Sequence, residues 1–169
     1  MEIVYFMTAD EVKQIGYTNT NVEDSIISTT MRVVQDTMLK GILGGNFYKY
    51  LLNGIKTNIL SDDDKVLIDN YIKPFLISAV DFRVTTHLLL EIRAKTVGTT
   101  NDQYYRSADE KQMLKLQDQL EADMKSYKHS LKCYLDEERK LYPEYDKWRC
   151  SCERPEGKNE GYNNVISFV

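Results

Sequence analysis

The fold is decided by one stretch, residues 61–95, which has the sequence SDDDKVLIDNYIKPFLISAVDFRVTTHLLLEIRAK. Ser61 is a favourable N-cap, and the aspartates at 62–64 place carboxylates at the positive end of the helix dipole. Apolar residues then recur at helical spacing over more than one face, which is typical of a central helix surrounded by others. They are Leu67, Ile68, Tyr71, Ile72, Phe75, Leu76, Ala79, Val80, Phe82, Val84, Leu88, Leu89 and Ile92. We therefore expect a long buried helix, with Leu76, Val80 and Leu89 in the core.

Pro74 lies inside this pattern. It has no amide proton, and its ring crowds the carbonyl of Asn70, so we expect a kink or a break at this point. The basic residues Arg93 and Lys95, followed by Gly98, are typical of a helix end.

Three shorter helices are predicted before the central one. The capping box TADE at 8–11 opens the first, and Gly16 ends it. The second runs from about residue 22, after Asn21 as its N-cap, to residue 43, where Gly44-Gly45 stops it. Asn46 is the expected N-cap of the third, whose inward side chains are Phe47, Tyr50, Leu51 and Ile55.

One long helix is predicted after the central one. Residues 98–107, GTTNDQYYRS, lack periodicity and are expected to form a loop, and the capping box SADE at 107–110 opens a helix to about Leu141. Its narrow stripe is typical of a helix packed antiparallel on a neighbour: Met113, Leu116, Leu120, Met124, Tyr127, Leu131 and Tyr134. Residues 143–161 are expected to be irregular and solvated.

Both ends of the chain have strand-like patterns. Residues 2–6, EIVYF, suit a short strand, and residues 162–169, YNNVISFV, alternate apolar and polar side chains. The sequence thus predicts an all-α protein, a small helical bundle with a long central helix, a long C-terminal helix and a minor β element from the termini. It predicts a helical domain over 1–145 and an extended C-terminal tail over 146–169.

Composition narrows the class of protein. The 169 residues are 42% hydrophobic and 28% charged, which suits one folded domain with a core. The net charge of −4 disfavours gripping nucleic acid by bulk charge. We expect no membrane segment, because no apolar run is long enough and the N-terminus does not resemble a signal peptide. The odd cysteine count, Cys133, Cys150 and Cys152, favours free thiols in a reducing compartment.

Few residues suit catalysis or metal binding. His87 lies within the central helix and is expected to be structural, whereas His129 lies among lysines on a solvated face. Cys150 and Cys152 would make half of a zinc site, but no second pair completes it. The acidic run 62–64 lacks the glycine and distal glutamate of a calcium loop. We expect no catalytic residue, no cofactor and no metal site, and the protein is not expected to be an enzyme.

Four segments resemble the head–tail connector proteins of tailed bacteriophages: VQDTMLKGILGGNFYKYLL at 34–52, DNYIKPFLISAVDFRV at 69–84, VGTT at 97–100 and KCYLDEERKLYPEY at 132–145. They are most similar to the adaptor or ring-protein family of phages of Bacteroidetes hosts, including crAss-like phages. The resemblance covers about residues 8–145 and depends on the order and spacing of the segments, not on any reactive residue.

This resemblance implies a structural subunit of a ring, commonly twelve-fold, below the portal. The ring would link capsid to tail and extend the DNA channel, in a virion made in the bacterial host cytoplasm. Its partners would be other copies of this chain, the portal protein and the next tail or ring protein. DNA would pass through without sequence-specific binding, which an acidic chain suits.

Assembly residues are expected in the tail and in the 98–107 loop. An exposed apolar strand invites pairing with another chain, and the only edge expected within the subunit is the short stretch 2–6. The predicted interface residues are Val165, Ile166, Phe168, Val169, Tyr104 and Tyr105. The alternative hypothesis is a small helical phage or host regulatory protein that acts by protein–protein binding.

Overall fold

The computed structural model describes residues 3–18, 21–96 and 103–152, and every regular element in these ranges is helical. The elements are α1 (Ala9–Ile15), α2 (Asp24–Val34), α3 (Lys40–Leu43), α4 (Gly45–Thr57), α5 (Asp62–Leu67), α6 (Lys73–Thr96), α7 (Gln103–Glu137) and α8 (Pro143–Cys152). The all-α prediction is confirmed. Residues 3–6 form no strand, so the β element predicted there is wrong, and residues 162–169 lie outside the described residues.

Two of the helices contain a π-helical turn. Gln35–Leu39 joins α2 to α3, and Ile68–Ile72 joins α5 to α6, so each pair is one continuous helix. The second turn comes directly before Pro74, and in it the Lys73 amide donates to the Ile68 carbonyl, five residues back. A π turn inserts one residue into the bonding ladder, which accommodates a proline that cannot donate to Asn70. The predicted interruption therefore takes the form of a wider turn, not a break.

The core surrounds the first half of α6. Leu76 and Val80 are buried as predicted, together with Ile72, Phe75 and Val84. Leu89, which was also predicted to be buried, is only half-buried. The helical spacing of apolar residues extends as far as Leu89, but the close packing of the core ends before it.

Helix α7 lies antiparallel to α6. Gln117 donates to the Thr86 hydroxyl at 3.3 Å, and further along the pair the ring of Tyr134 stacks on Tyr71 with centroids 4.0 Å apart. The predicted stripe is confirmed at Leu120, Met124 and Leu131, which are buried, and is wrong at Leu116 and Tyr127, which are exposed.

The start of α7 corrects the predicted loop. The helix begins at Gln103, so residues 103–107 are helical and Ser107 is not its N-cap. It ends at Glu137, followed by a 3-10 turn at Arg139–Leu141, slightly earlier than the predicted end at Leu141.

Residues 143–152 were expected to be irregular, yet they form α8. Tyr145 is buried in the core, and Trp148 packs against it and over Gly44. Gly44 has φ +78°, and a Cβ there would overlap the indole ring. Helix α8 continues across residue 145, at which the domain boundary was placed, and residues 153–169 lie outside the described part, so the division into 1–145 and 146–169 stays a prediction.

Two of the five predicted N-caps are confirmed. Thr8 with Glu11, and Ser61 with Asp64, form reciprocal capping boxes. Asn21 and Asn46 do not cap, since α2 begins at Asp24 and α4 begins at Gly45. In α4, Phe47 and Leu51 are buried as predicted, Ile55 is partly buried, and Tyr50 is exposed.

Candidate interaction surface

The N-terminal stretch is held by a side chain instead of a strand. The Phe6 amide donates to Gln35 Oε1 at 2.9 Å, and Gln35 Nε2 donates to the Val4 carbonyl at 3.3 Å. Groups two residues apart lie on one edge of an extended segment, so the Gln35 amide occupies the edge that a pairing strand would use. This edge, which was expected to pair with the tail, is therefore not open at residues 4 and 6.

The first surface feature is a groove of about 520 Å³ between the loop after α1 and helices α6 and α7, here called the Tyr17 groove. One wall is Ile15, Gly16 and Tyr17, and the other is Leu120, Asp123 and Tyr127 of α7. The floor is the segment of α6 around Lys73, Pro74, Ile77, Ser78 and Asp81, with Asp69 at its end.

Asp81 fixes the wall formed by the loop. Its buried carboxylate accepts hydrogen bonds from the Tyr17 amide at 2.8 Å, the Thr18 amide at 2.9 Å and the Thr18 hydroxyl. A Cβ at residue 16 would lie 2.7 Å from Asp81 Oδ2, which explains why glycine suits that position. A carboxylate with several donors is well satisfied in a buried site, so the loop is held rigidly against α6.

Lys73 neutralises acidic groups at one end of the groove. Its Nζ lies 3.0 Å from Glu11 Oε1 and 2.9 Å from Asp69 Oδ1. Burial alone would lower the pKa of Lys73, but the bonds to Asp69 and Glu11 outweigh burial and raise it. Burial alone would raise the pKa of Glu11, but the Thr8 amide and Lys73 outweigh burial and lower it. Both groups are therefore held in their charged forms.

The rim of the Tyr17 groove is apolar and open. Ile15 is 68% exposed, Tyr17 is 74% exposed and Tyr127 is 47% exposed. Three large apolar side chains around one groove form a surface suited to a partner. Within α1, Val12 is buried in the core, whereas Ile15 lines the groove.

A second groove, of about 490 Å³, lies between α2 and the two long helices and is here called the Val33 groove. Val33 and Met38 line one side, and Phe82, Leu90 and Met124 line the others. Its charged lining residue is Arg83, beside His87, whereas the Tyr17 groove contains three carboxylates and one lysine. The two grooves thus differ in shape and in charge.

The predicted interface residues fall into two groups. Tyr104 and Tyr105 lie in the first turn of α7, not in a loop, and their side chains are outside the described part. Val165, Ile166, Phe168 and Val169 lie outside the described residues altogether. Neither groove was found from the sequence, because its walls come from residues distant in the chain and the exposed Tyr17 has no periodic pattern around it.

The remaining chemical candidates are sparse. His87 is exposed at the Val33 groove, and His129 Nε2 lies 3.5 Å from Cys133 Sγ on α7. The part of the chain that the structure describes has no group of three or more His, Cys, Asp or Glu side chains placed to bind a metal ion. The side chains of Cys150 and Cys152 lie outside that part. In the same ranges, each helix is too short or too polar to cross a bilayer.

In its described residues, this protein is an all-α domain with the Tyr17 and Val33 grooves beside its two longest helices, α6 and α7. Comparison with protein families adds one match, over residues 32–155. The chain belongs to this family, DUF6712, which is described as a family of unknown function. No curated protein and no solved structure is significantly similar to the chain.

Proposed function

We propose that this protein is a structural subunit of a phage head–tail connector ring. In this role it docks below the portal, extends the DNA channel and links the capsid to the tail in the virion. Its partners are other copies of this chain, the portal protein and the next tail or ring protein. DNA passes through the channel without sequence-specific contacts.

The observation that carries this proposal is the pair of unlike grooves beside α6 and α7. A ring is built from head-to-tail contacts, so each subunit must offer two different surfaces. The Tyr17 groove has mostly acidic charged groups, and the Val33 groove has Arg83. Two surfaces that differ in this way suit head-to-tail contacts better than a two-fold dimer, in which both copies use the same patch.

The resemblance of residues 34–52, 69–84 and 132–145 to phage connector proteins also supports the proposal. These segments form the π turn between α2 and α3, the first half of α6 and the packed end of α7. The family match over residues 32–155 includes all three of them, but it assigns no function.

The decisive experiment is to find the protein in particles. The full-length chain would be purified alone and together with the portal protein from the same genome, then weighed by native mass spectrometry and imaged by electron microscopy. We expect a ring, alone or on the portal, and the same density at the head–tail junction of virions. A chain that stays monomeric or dimeric with the portal and is missing from virions favours the regulatory-protein alternative.

A deletion of residues 162–169 tests the part of the proposal that depends on the tail. We expect helical content and melting temperature to stay close to those of the full chain, while incorporation into rings or virions is lost. Truncated protein that assembles as well as the full chain would show that Val165, Ile166, Phe168 and Val169 are not interface residues.

A further inference from the structure

We infer that the Tyr17 groove is the receptor for residues 162–169 of a neighbouring copy of this chain. The groove itself is a feature of the single subunit. The assignment of the occupant to another copy rests on the proposed ring. The experiment below distinguishes a failure of the docking site from a failure of the ring.

The charges of the groove favour an uncharged occupant. Lys73 is already paired with Glu11 and Asp69, and the Asp81 carboxylate is taken by donors from residues 17 and 18. A charged segment would have to give up hydration, and an acidic one would also meet the Asp123 carboxylate on the α7 wall. Among the residues after α8, 153–161 contain several charged side chains, whereas 162–169, YNNVISFV, contain none.

The shape and lining of the groove favour a short extended segment. A volume of about 520 Å³ accommodates a few side chains, which is the number that one face of a short extended segment presents. In an extended segment, Ile166 and Phe168 lie on one face, and Val165 and Val169 on the other. Ile166 and Phe168 would enter between Tyr17 and Tyr127, where aromatic pairs and exposed apolar area are both available.

Polar groups around the groove can satisfy the backbone of such a segment. The Asp123 carboxylate and the hydroxyls of Tyr17 and Tyr127 are hydrogen-bonding groups on its two walls. An incoming strand with no partner strand needs side-chain donors and acceptors, as the Val4–Phe6 stretch finds in Gln35.

The tether allows the segment to reach another copy. Residues 153–161 separate the end of α8 from the segment and span about 30 Å when extended. That distance is about the diameter of a small domain. Helix α8 packs on α4, and neither helix lines the Tyr17 groove.

The test is photo-crosslinking in the full-length chain, with a photoreactive phenylalanine analogue at position 168. Equal amounts of ¹⁵N-labelled and unlabelled protein are mixed, with and without the portal protein, and crosslinked peptides are identified by mass spectrometry. We expect crosslinks between copies on the peptides that contain Tyr17 or Tyr127. The same analogue at position 165, on the opposite face of the segment, is expected to give few.

A matched pair of substitutions tests the groove. Ile15→Ser removes an apolar side chain from its rim, and Ile59→Ser removes one that is 76% exposed and does not line it. We expect about a tenfold loss of crosslinking for Ile15→Ser, since burial of one aliphatic side chain is worth about that factor in affinity. Ile59→Ser should crosslink like the parent.

The outcomes separate this inference from the ring proposal. Groove crosslinks between copies without any ring support the docking site and overturn the ring. Rings in which residue 168 crosslinks elsewhere, or only within its own copy, support the ring and overturn the docking site. Equal crosslinking by the two serine variants also overturns it.

Discussion

The two ends of the α6–α7 pair contain similar side chains in very different surroundings. At one end, Phe75 and Leu76 of α6 and Ile72 of the preceding π turn are buried in the same core as Leu131 and Leu135 of α7. At the other end, Leu90 is 59% exposed, and Leu114 and Leu116 are each 45% exposed. The antiparallel register places Leu90 and Leu114 at the same end, close to Tyr104 and Tyr105 in the chain.

The difference shows that leucine spacing marks a helix but not its burial. The buried end is covered by the aromatic cluster of Phe47, Tyr142 and Tyr145, and Tyr142 joins this cluster to the Tyr134 ring that stacks on Tyr71. At the exposed end, the described residues leave the leucines partly open. An apolar surface of this kind suits contact with another molecule, as the predicted interface role of Tyr104 and Tyr105 requires.

The largest expected effect on stability comes from replacing a leucine by alanine, and the same replacement can be made at each end of the helix pair. Leu76→Ala should lower the free energy of unfolding by about 2–5 kcal/mol, because it leaves a cavity in the core. Leu90→Ala should change it by less than about 0.5 kcal/mol, since the side chain is already exposed. Urea unfolding followed by circular dichroism measures both. Equal losses in the two variants would mean that the exposed end is packed in solution.

A second substitution tests how tightly α8 packs against the buried end. Gly44→Ala should cost about 2–4 kcal/mol, because φ at this position is positive and the methyl group overlaps Trp148. Gly41→Ala is the control, since a Cβ there meets nothing within 4 Å. It should stabilise the helix by about 0.5–1 kcal/mol. If Gly44→Ala is harmless, α8 does not pack over this residue.

The loop wall of the Tyr17 groove should give a smaller effect. Asp81→Ala removes the acceptor for the Tyr17 and Thr18 amides and should cost about 1.5–3 kcal/mol. It should also lower the crosslinking from position 168 more than its effect on stability explains. Ser78→Ala, whose hydroxyl donates to the Phe75 carbonyl within α6, is the matched control for stability and should change it little. Amide exchange at residues 17 and 18 would reveal the loosened loop directly.

The smallest expected effect is the change of stability with pH that comes from the Glu11–Lys73 pair. The pKa of Glu11 is lowered on folding, so its contribution to stability is present above its unfolded pKa of about 4.3 and is lost as pH falls through the folded value. The raised pKa of Lys73 acts in the opposite sense, and its contribution is lost as pH rises through its folded value, above about 10.4. Because both side chains are partly exposed, the contribution is below about 1 kcal/mol.

Glu11→Gln isolates that contribution. Unfolding measured between pH 7 and pH 3 should show less loss of stability on acidification in this variant than in the parent. Asp10→Asn removes a carboxylate of the same helix turn but leaves the Glu11–Lys73 pair in place, and is the matched comparison. An unchanged profile in Glu11→Gln would show that the pair with Lys73 does not couple to folding.

Local chemistry made much of the fold predictable. The capping boxes at Thr8 and Ser61 identified two helix starts, and the spacing from Leu67 to Val84 identified the buried helix. These features depend on neighbours within one or two turns, so they are visible in the sequence. The start of α7 at Gln103 was missed because residues 103–107 are polar and lack the apolar spacing that marks a packed helix.

Features that depend on distant residues were not predictable in the same way. In the charged segment 143–152, Tyr145 packs against Phe47 and Trp148 lies over Gly44, and both of these contacts come from another part of the chain. The Tyr17 groove joins α1, α6 and α7 in the same manner. Asp81 could have been noticed in the sequence as a charged residue within an apolar run, because a buried charge needs a compensating partner. Its donors could not have been found in the same way, since residues 17 and 18 are more than 60 positions away in the chain.

The π turn at Ile68–Ile72 also preserves the rotational phase of the helix that follows it. Each residue advances an α-helix by about 100°, so one residue added to a regular ladder would turn all later side chains to a different side. The wider turn takes up its additional residue within itself, so Asp81 still faces Thr18 and Ile77 still lies in the groove floor. The loop clamp and the Tyr17 groove should therefore tolerate the deletion of one residue from 68–72, whereas the deletion of one residue between Lys73 and Asp81 should disrupt both.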